Sequence, residues 1–499
     1  MSIAILASRA QLGIEAPPVT IEVFLSGGLP RFNVVGMPET AVRESSDRVR
    51  GAIINSGLPF PRERITVSLA PADMPKTGGR FDLAIALGIL AAQKAIPAHA
   101  LDGTEFLGEL SLNGALRPVP GVLPAALRAR DAGHALMVPK ENAGEAALAR
   151  SAVHPAATLL EVVAHLRGVR GIAAVPAIRP EPGHSEGPDL ADVRGQARAK
   201  RALEIAAAGG HNVLLIGPPG TGKSMLARRL PGILPPMTDR EALETAGIDS
   251  ILGNRIELSR WRLRPFRAPH HTASAPAVVG GGPGPRPGEI SRAHNGVLFL
   301  DELPEFSRHV LEVLREPLEA GVITISRAAQ QADFPARVQL VAAMNPCPCG
   351  YFGDAHGNCH CSRDRVASYR SKISGPLLDR IDLGVEVGRL PKDALRDAAA
   401  GGEGSATVRE RVVAARELAL ARRGVCNAAL EGEQLEAATR MGEEGVRLLD
   451  EAVERFGLSV RAYHRALRVS RTIADLAGAE RVDVAHVAEA LSLRAQEQR

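Results

Sequence analysis

The stretch NVLLIGPPGTGKS, residues 212–224, runs an apolar strand straight into a glycine-rich turn that closes on Lys223-Ser224. Gly217-Pro218-Pro219-Gly220-Thr221-Gly222-Lys223-Ser224 fits the phosphate-binding pattern G-x-x-x-x-G-K-[ST], and a helix is expected from about Ser224. Glycines let backbone N–H groups wrap phosphates, and the helix N-terminus adds positive potential. Lys223 then reaches the β- and γ-phosphates of ATP, while Ser224 ligates Mg²⁺. A buried strand leading into such a turn implies an α/β core around a parallel sheet.

Working outward from the loop, GVLFLDE at 296–302 is a second buried strand ending in paired carboxylates. Asp301 is placed to hold Mg²⁺ through its water shell, and Glu302 to orient and polarise the attacking water. A third strand, expected over 338–344, delivers Asn345, whose amide can position the lytic water; taken alone, an Asn after a strand is an ordinary turn residue. Upstream, RGIAAVPAIRPEPGHSEGPDL at 170–190 carries four prolines and reads as an interdomain linker. Before it, Thr20–Leu25 and Ile65–Leu69 read as strands and Phe81–Gln93 and Gly121–Ala132 as helices. From about Ala406 the pattern is purely helical, as in a small lid bundle.

The 499 residues suffice for about three domains, and a formal charge of +4 is too small to demand a nucleic-acid partner, so any DNA contact must be a local patch. No run of 18 apolar residues appears and the N-terminus lacks the charged start of a signal peptide, so no membrane span and a cytoplasmic location are expected. Four of the five cysteines, Cys347, Cys349, Cys359 and Cys361, form two C-x-C pairs with His356 and His360 nearby. That density suits structural Zn²⁺ in a reducing compartment, with plain thiols the alternative. Cys426 reads as a small buried hydrophobe.

In order, the phosphate loop, Asp301-Glu302, Asn345, the segment Leu377-Leu378-Asp379-Arg380-Ile381-Asp382 and Leu458-Ser459-Val460-Arg461 resemble the Walker A, Walker B, sensor 1, arginine-finger and sensor 2 elements of AAA+ ATPases. The resemblance implies that Arg380 reaches a γ-phosphate held by a neighbouring subunit and that Arg461 senses phosphate from the lid. It thereby implies a homo-oligomeric ring, commonly a hexamer. RPFRAPHHT at 264–272, with GGG at 280–282 and PGEIS at 287–291, looks like the insertion of magnesium-chelatase-type ATPases and accounts for the 78 residues between Lys223 and Asp301. NPCPCGY at 345–351 and GMPE at 36–39 resemble the bacterial ComM/YifB subgroup over essentially the whole chain. That resemblance implies a DNA translocase or helicase promoting branch migration in recombination and natural transformation. The alternatives are a chelatase-type motor subunit and a protein-remodelling ATPase acting on a partner.

PKTGGRFD at 75–82, GELSLNGALRP at 108–118 and VPKEN at 138–142 look like the Lon protease fold. Matching the family's serine and lysine positions places Arg80 and Leu123 there, so a nucleophile and its base are both missing and no proteolysis is expected. The expected organisation is a Lon-like domain over 1–169, a linker over 170–189, an AAA+ core over 190–400 and a helical lid over 401–499. Arg255, Arg260, Arg262, Arg264 and Arg267, interleaved with Trp261 and Phe266, suit contacts to single-stranded or branched DNA; a solvated charged face is the alternative. Thr324–Arg327 and Ala336–Val341 are expected to bracket a pore hairpin, with His270 and His271 as hinge or pore residues.

Overall fold

The computed structural model describes every residue except 1, 38, 40, 41, 43, 184–186, 283–284, 328–329, 355–356, 391–401 and 495–499. Pro38, His356 and the expected boundary at residues 400 and 401 therefore lie outside the described residues.

The N-terminal part is built on a seven-stranded sheet. Its strands are β1 (Ser2–Arg9), β2 (Pro18–Ser26), β3 (Arg31–Val35), β4 (Arg64–Ala70), β5 (Thr104–Phe106), β8 (Ala135–Pro139) and β9 (Val153–Ala156), in the order β3-β4-β2-β1-β5-β8-β9. β6 (Glu109–Leu110) and β7 (Leu116–Arg117) make a separate two-stranded ladder. The helix Asp82–Ala92, DLAIALGILAA, is apolar on every side after Asp82 and is buried along its whole length, as such a helix must be. It lies so close to the sheet that a Cβ on Gly88 would stand 2.5 Å from Val23 and 2.9 Å from Leu6. Asp82 enters this core paired with Arg48 at 2.7 Å; burial still outweighs that partner and lifts its pKa to about 6.

The second sheet has strands β10 (Val213–Ile216), β11 (Phe266–Arg267), β12 (Val297–Leu300), β15 (Gln339–Met344) and β16 (Leu383–Glu386), all parallel, in the order β11-β12-β15-β10-β16. Alternation along each strand feeds two cores. Val213, Leu215, Val297, Phe299, Val341 and Ala343 face one core, while Leu214, Leu298, Leu300, Leu340, Ala342 and Met344 face the other. Burial on both faces is why these strands read as continuous apolar runs. The C-terminal part is helical, with helices Ser405–Arg423, Gly432–Ala438, Glu443–Phe456, Val460–Leu476 and Val484–Ser492.

Three local expectations are revised. The hairpin pairs β13 (Val322–Arg327) with β14 (Gln330–Pro335), so its second arm precedes Ala336–Val341, which instead enters β15. Ala332 and Phe334 on β14 are buried against Ile325 and Ile251, with Leu12 and Ile14 of the N-terminal part packed on them, an alternation that fixes the arm's register. Trp261 is only 4% exposed, packed with Met237, Ala242, Ala246 and the helix Val122–Asp131, so its indole joins the two halves and offers no stacking surface. Residues 171–183 of the proline-rich segment form no helix or strand but are docked: Val175 N–H donates to Val153 O at 2.8 Å and Gly183 N–H to Trp261 O at 2.8 Å.

Candidate nucleotide-binding and catalytic site

Three neighbouring parallel strands, β12, β15 and β10, end side by side, and their C-terminal ends carry Asp301, Asn345 and Gly217. In an open parallel sheet this edge is where ligands bind. The loop after β10 turns on Gly220 at φ 75° and Gly222 at φ 93°, conformations that side chains oppose. A Cβ on Gly217 would collide with Val387 O at 2.1 Å.

Lys223 opens the helix Lys223–Ala227 and folds its Nζ onto the loop, donating to Gly217 O at 2.7 Å, Pro218 O at 2.8 Å and Asn345 Oδ1 at 3.2 Å. Burial lowers its pKa below the ordinary lysine value, and Asp301 and Glu302 act to raise it. The Ser224 hydroxyl donates to Asp301 Oδ2 at 2.5 Å, so the two expected Mg²⁺-binding groups meet. Glu302 lies beyond the strand end at φ 53°, a left-handed conformation costing a non-glycine residue about 1 kcal/mol. Its N–H donates to Asp301 Oδ1 at 3.0 Å.

Sequence reasoning missed one contact here: His271 Nδ1 stands 3.1 Å from Glu302 Oε2. The adjacent histidines of the insertion are its only local signal, and nothing in the spacing aims one of them at the acidic pair. Next to the loop a small cavity of about 160 Å³ is lined by Val193, Gln196, Thr221, Gly222 and Met225. A larger cleft of about 650 Å³ separates Pro218 and Pro346 from Arg465 and Val469 of the helical region.

Arg380 and Arg461 are not gathered at Lys223: Arg461 turns to Asp379, and Arg380 to Glu319 and Pro376. The Arg380 guanidinium, 15% exposed, is bound to Glu319 and donates to Pro376 O at 2.7 Å. Arg461, 62% exposed, reaches Asp379 at 4.0 Å, and Arg465 pairs with the same carboxylate at 3.2 Å while holding Ile381 O at 2.8 Å. Of the basic stretch, Arg262 donates to Met237 O, Arg264 pairs with Glu241 at 3.2 Å and Arg267 with Glu289 at 2.6 Å. These three are spent on internal structure, whereas Arg255 and Arg260 are exposed.

Beyond Asn345 the chain loops through the cysteines. All four sulfurs lie within 4.8 Å of one another, with Cys347–Cys349 at 3.3 Å, Cys349–Cys359 at 3.6 Å and Cys347–Cys359 at 3.8 Å. Tetrahedral Zn–S bonds of about 2.3 Å set ligand sulfurs about 3.8 Å apart. The Tyr351 backbone N–H, foremost, draws the Cys349 thiol down to about 6. Although the Cys361 backbone N–H favours a Cys359 thiolate, burial and the neighbouring Cys349 and Cys347 sulfurs push it up to about 11. Thiols that resist joint ionisation in this way are what a divalent cation relieves.

Three family models match in succession: "Subunit ChlI of Mg-chelatase" over residues 21–142, "Magnesium chelatase, subunit ChlI" over 189–395 and "Magnesium chelatase, subunit ChlI C-terminal" over 402–494. Competence protein ComM of Haemophilus influenzae is 52% identical over 500 residues, 99% of this chain and 98% of that protein. YifB of Escherichia coli is 48% identical over 500 residues, 99% of this chain and 97% of its own. DNA replication licensing factor mcm6 of Dictyostelium discoideum shares 24% over 191 residues, 38% of this chain and 18% of its own.

Proposed function

From the premise that this chain belongs to the ComM/YifB family of magnesium-chelatase-like AAA+ ATPases, we propose that it is a ring-forming DNA translocase that drives branch migration in recombination and natural transformation. The observation that carries the motor is the convergence of Lys223, Ser224, Asp301 and Asn345 on one sheet edge. Backbone N–H groups of residues 217–224 and Lys223 hold the phosphates, and Ser224 with Asp301 hold Mg²⁺. Asn345 orients the water that Glu302 deprotonates. Arg380, set apart from its own phosphate loop, supplies charge to a neighbour's γ-phosphate, and the ring, commonly a hexamer, follows from that need. Arg461, beside Asp379, acts as the lid's phosphate sensor.

DNA as cargo is supported by the competence role in the name of the Haemophilus relative and by the partial likeness to a replication licensing factor. Among the described residues no helix is long and apolar enough to cross a membrane; the proposed work on DNA is cytoplasmic. The N-terminal part, residues 1–169, acts as a Lon-like platform without proteolysis, joined through residues 170–189 to a core over 190–400 and a lid over 401–499. At the dyad positions Arg80 is buried and binds Pro120 O, and Leu123 is fully buried with its N–H 3.2 Å from Ser250 Oγ of the ATPase part. Neither position offers a nucleophile or a base to solvent.

ATP hydrolysis measured alone and with single-stranded, duplex and four-way-junction DNA tests the cargo. Stimulation is expected, greatest with the branched substrate; no response to any of them would favour a chelatase-type or protein-remodelling motor. Arg255→Ala with Arg260→Ala should weaken DNA binding and flatten its logarithmic salt slope by about one per lost phosphate contact. An unchanged slope would move the contact to other residues.

The cysteine cluster holds a structural Zn²⁺ that stiffens the loop between Asn345 and the finger segment. Protein purified without chelator should carry about one zinc per chain, lost on Cys347→Ser plus Cys359→Ser. Freshly reduced protein without zinc by elemental analysis would leave the four as plain thiols.

A further inference from the structure

We propose that Asn212 is a positioning residue for Arg380, fixing the main chain from which that arginine is offered to the neighbouring subunit; the proposal rests on Arg380 acting in trans. Asn212 precedes β10, and every polar group it has is committed. Its Nδ2 donates to Arg380 O at 2.7 Å, and its Oδ1 accepts from Leu340 N–H of β15 at 2.7 Å. Its own N–H donates to Asp382 Oδ2 at 3.0 Å, and its carbonyl accepts from Asp382 N–H at 3.1 Å and Leu383 N–H at 3.0 Å. One residue therefore grips Arg380's carbonyl, the chain that follows it at Asp382 and Leu383, and the root of β15.

The placement matters because of what lies at the far ends of the same strands. β10 leads into Gly217 and β15 into Asn345, so the two strands that Asn212 ties together carry the chain's own phosphate loop and water-positioning amide. A shift of β10 against β15 on nucleotide binding or release moves the Arg380 carbonyl with it. Beside Asn212, His211 continues the link, with Nε2 2.8 Å from Thr472 Oγ1 in the helical region and Nδ1 3.6 Å from Asp382. The Arg380 main chain is thus clamped by Asn212, while its guanidinium is held separately, by Glu319 and Pro376 O. The chemistry selects the residue type. An amide supplies a donor for Arg380 O and an acceptor for Leu340 N–H at once; a carboxylate keeps only the acceptor, and a hydroxyl falls short of the span.

The test uses full-length protein. Asn212→Asp preserves the shape and the Leu340 bond but sets an acceptor against Arg380 O, and should lower kcat by about tenfold to a hundredfold while KM for ATP stays within about twofold. In mixtures, Lys223→Ala chains, whose fingers are intact, should restore activity to Asn212→Asp chains, and Arg380→Ala chains should not. The reverse pattern would place Asn212's role in its own nucleotide site and overturn the proposal. So would full turnover by the variant, or rescue by neither partner while Arg380→Ala and Lys223→Ala chains rescue each other. Failure of that last pair to rescue would instead sink the trans reading of Arg380 itself. Thermal melting guards against misfolding; should Asn212→Asp not fold, Asn212→Ser, which introduces no charge, is held to the same pattern.

Discussion

Replacing Glu302 by Gln should leave ATP bound as tightly as before and lower its turnover by about 10²- to 10⁴-fold, the range that general-base catalysis contributes. Binding draws on the backbone N–H groups of residues 217–224, on Lys223 and on the Ser224–Asp301 pair, none of which touches the Glu302 side chain. The amide keeps the volume and the left-handed backbone at φ 53°, so the strand end and the Asp301 contact persist. What disappears is the charge that draws a proton from water beside the γ-phosphate. Lys223→Ala differs in kind: it removes the cation shared by the loop carbonyls and Asn345, and should weaken binding and turnover together. Titration with a fluorescent nucleotide alongside steady-state hydrolysis separates the two effects. Undiminished turnover in Glu302→Gln would remove Glu302 from the chemistry and leave activation of the water to another group.

The grouping of the candidate site's residues was legible because its logic is local and repeated: an apolar strand, a sharp end, a charged or amide side chain. Val297–Leu300 and Leu340–Met344 are buried on both faces, so the sequence shows them as unbroken apolar runs, and the candidate residue is whichever polar group stops the run. Partners separated by long stretches of chain were not legible. Trp261 among arginines looks like a stacking platform until a helix more than a hundred residues earlier covers it. Arg264 and Arg267 look free until Glu241 and Glu289 fold against them. Asn212 reads as the polar first residue of an apolar strand, and only the return of the chain at 380–383 gives it work. Charge on a sequence marks what needs a partner; the fold decides whether that partner is protein or ligand.

Arg380→Ala chains and Lys223→Ala chains should each hydrolyse ATP poorly alone, and a mixture of the two should regain activity. An arginine supplied in trans contributes about 10³- to 10⁵-fold to turnover, so either loss leaves only a trace. In a ring assembled at random from equal amounts, about a quarter of the interfaces place an intact phosphate loop opposite an intact finger. If interfaces fire independently, about a quarter of the wild-type rate returns; if they must fire in concert, less. The geometry favours a trans role because the Arg380 guanidinium faces Glu319 and Pro376 while Lys223 is engaged with Gly217, Pro218 and Asn345. For the finger to reach a neighbour, the Glu319 pair must open, and Glu319 is largely exposed, so solvent already screens that bond. Glu319→Gln should therefore leave the mixing result intact and at most raise the basal rate. A mixture no more active than its components, with both variants shown to assemble, would return Arg380 to a role within its own chain.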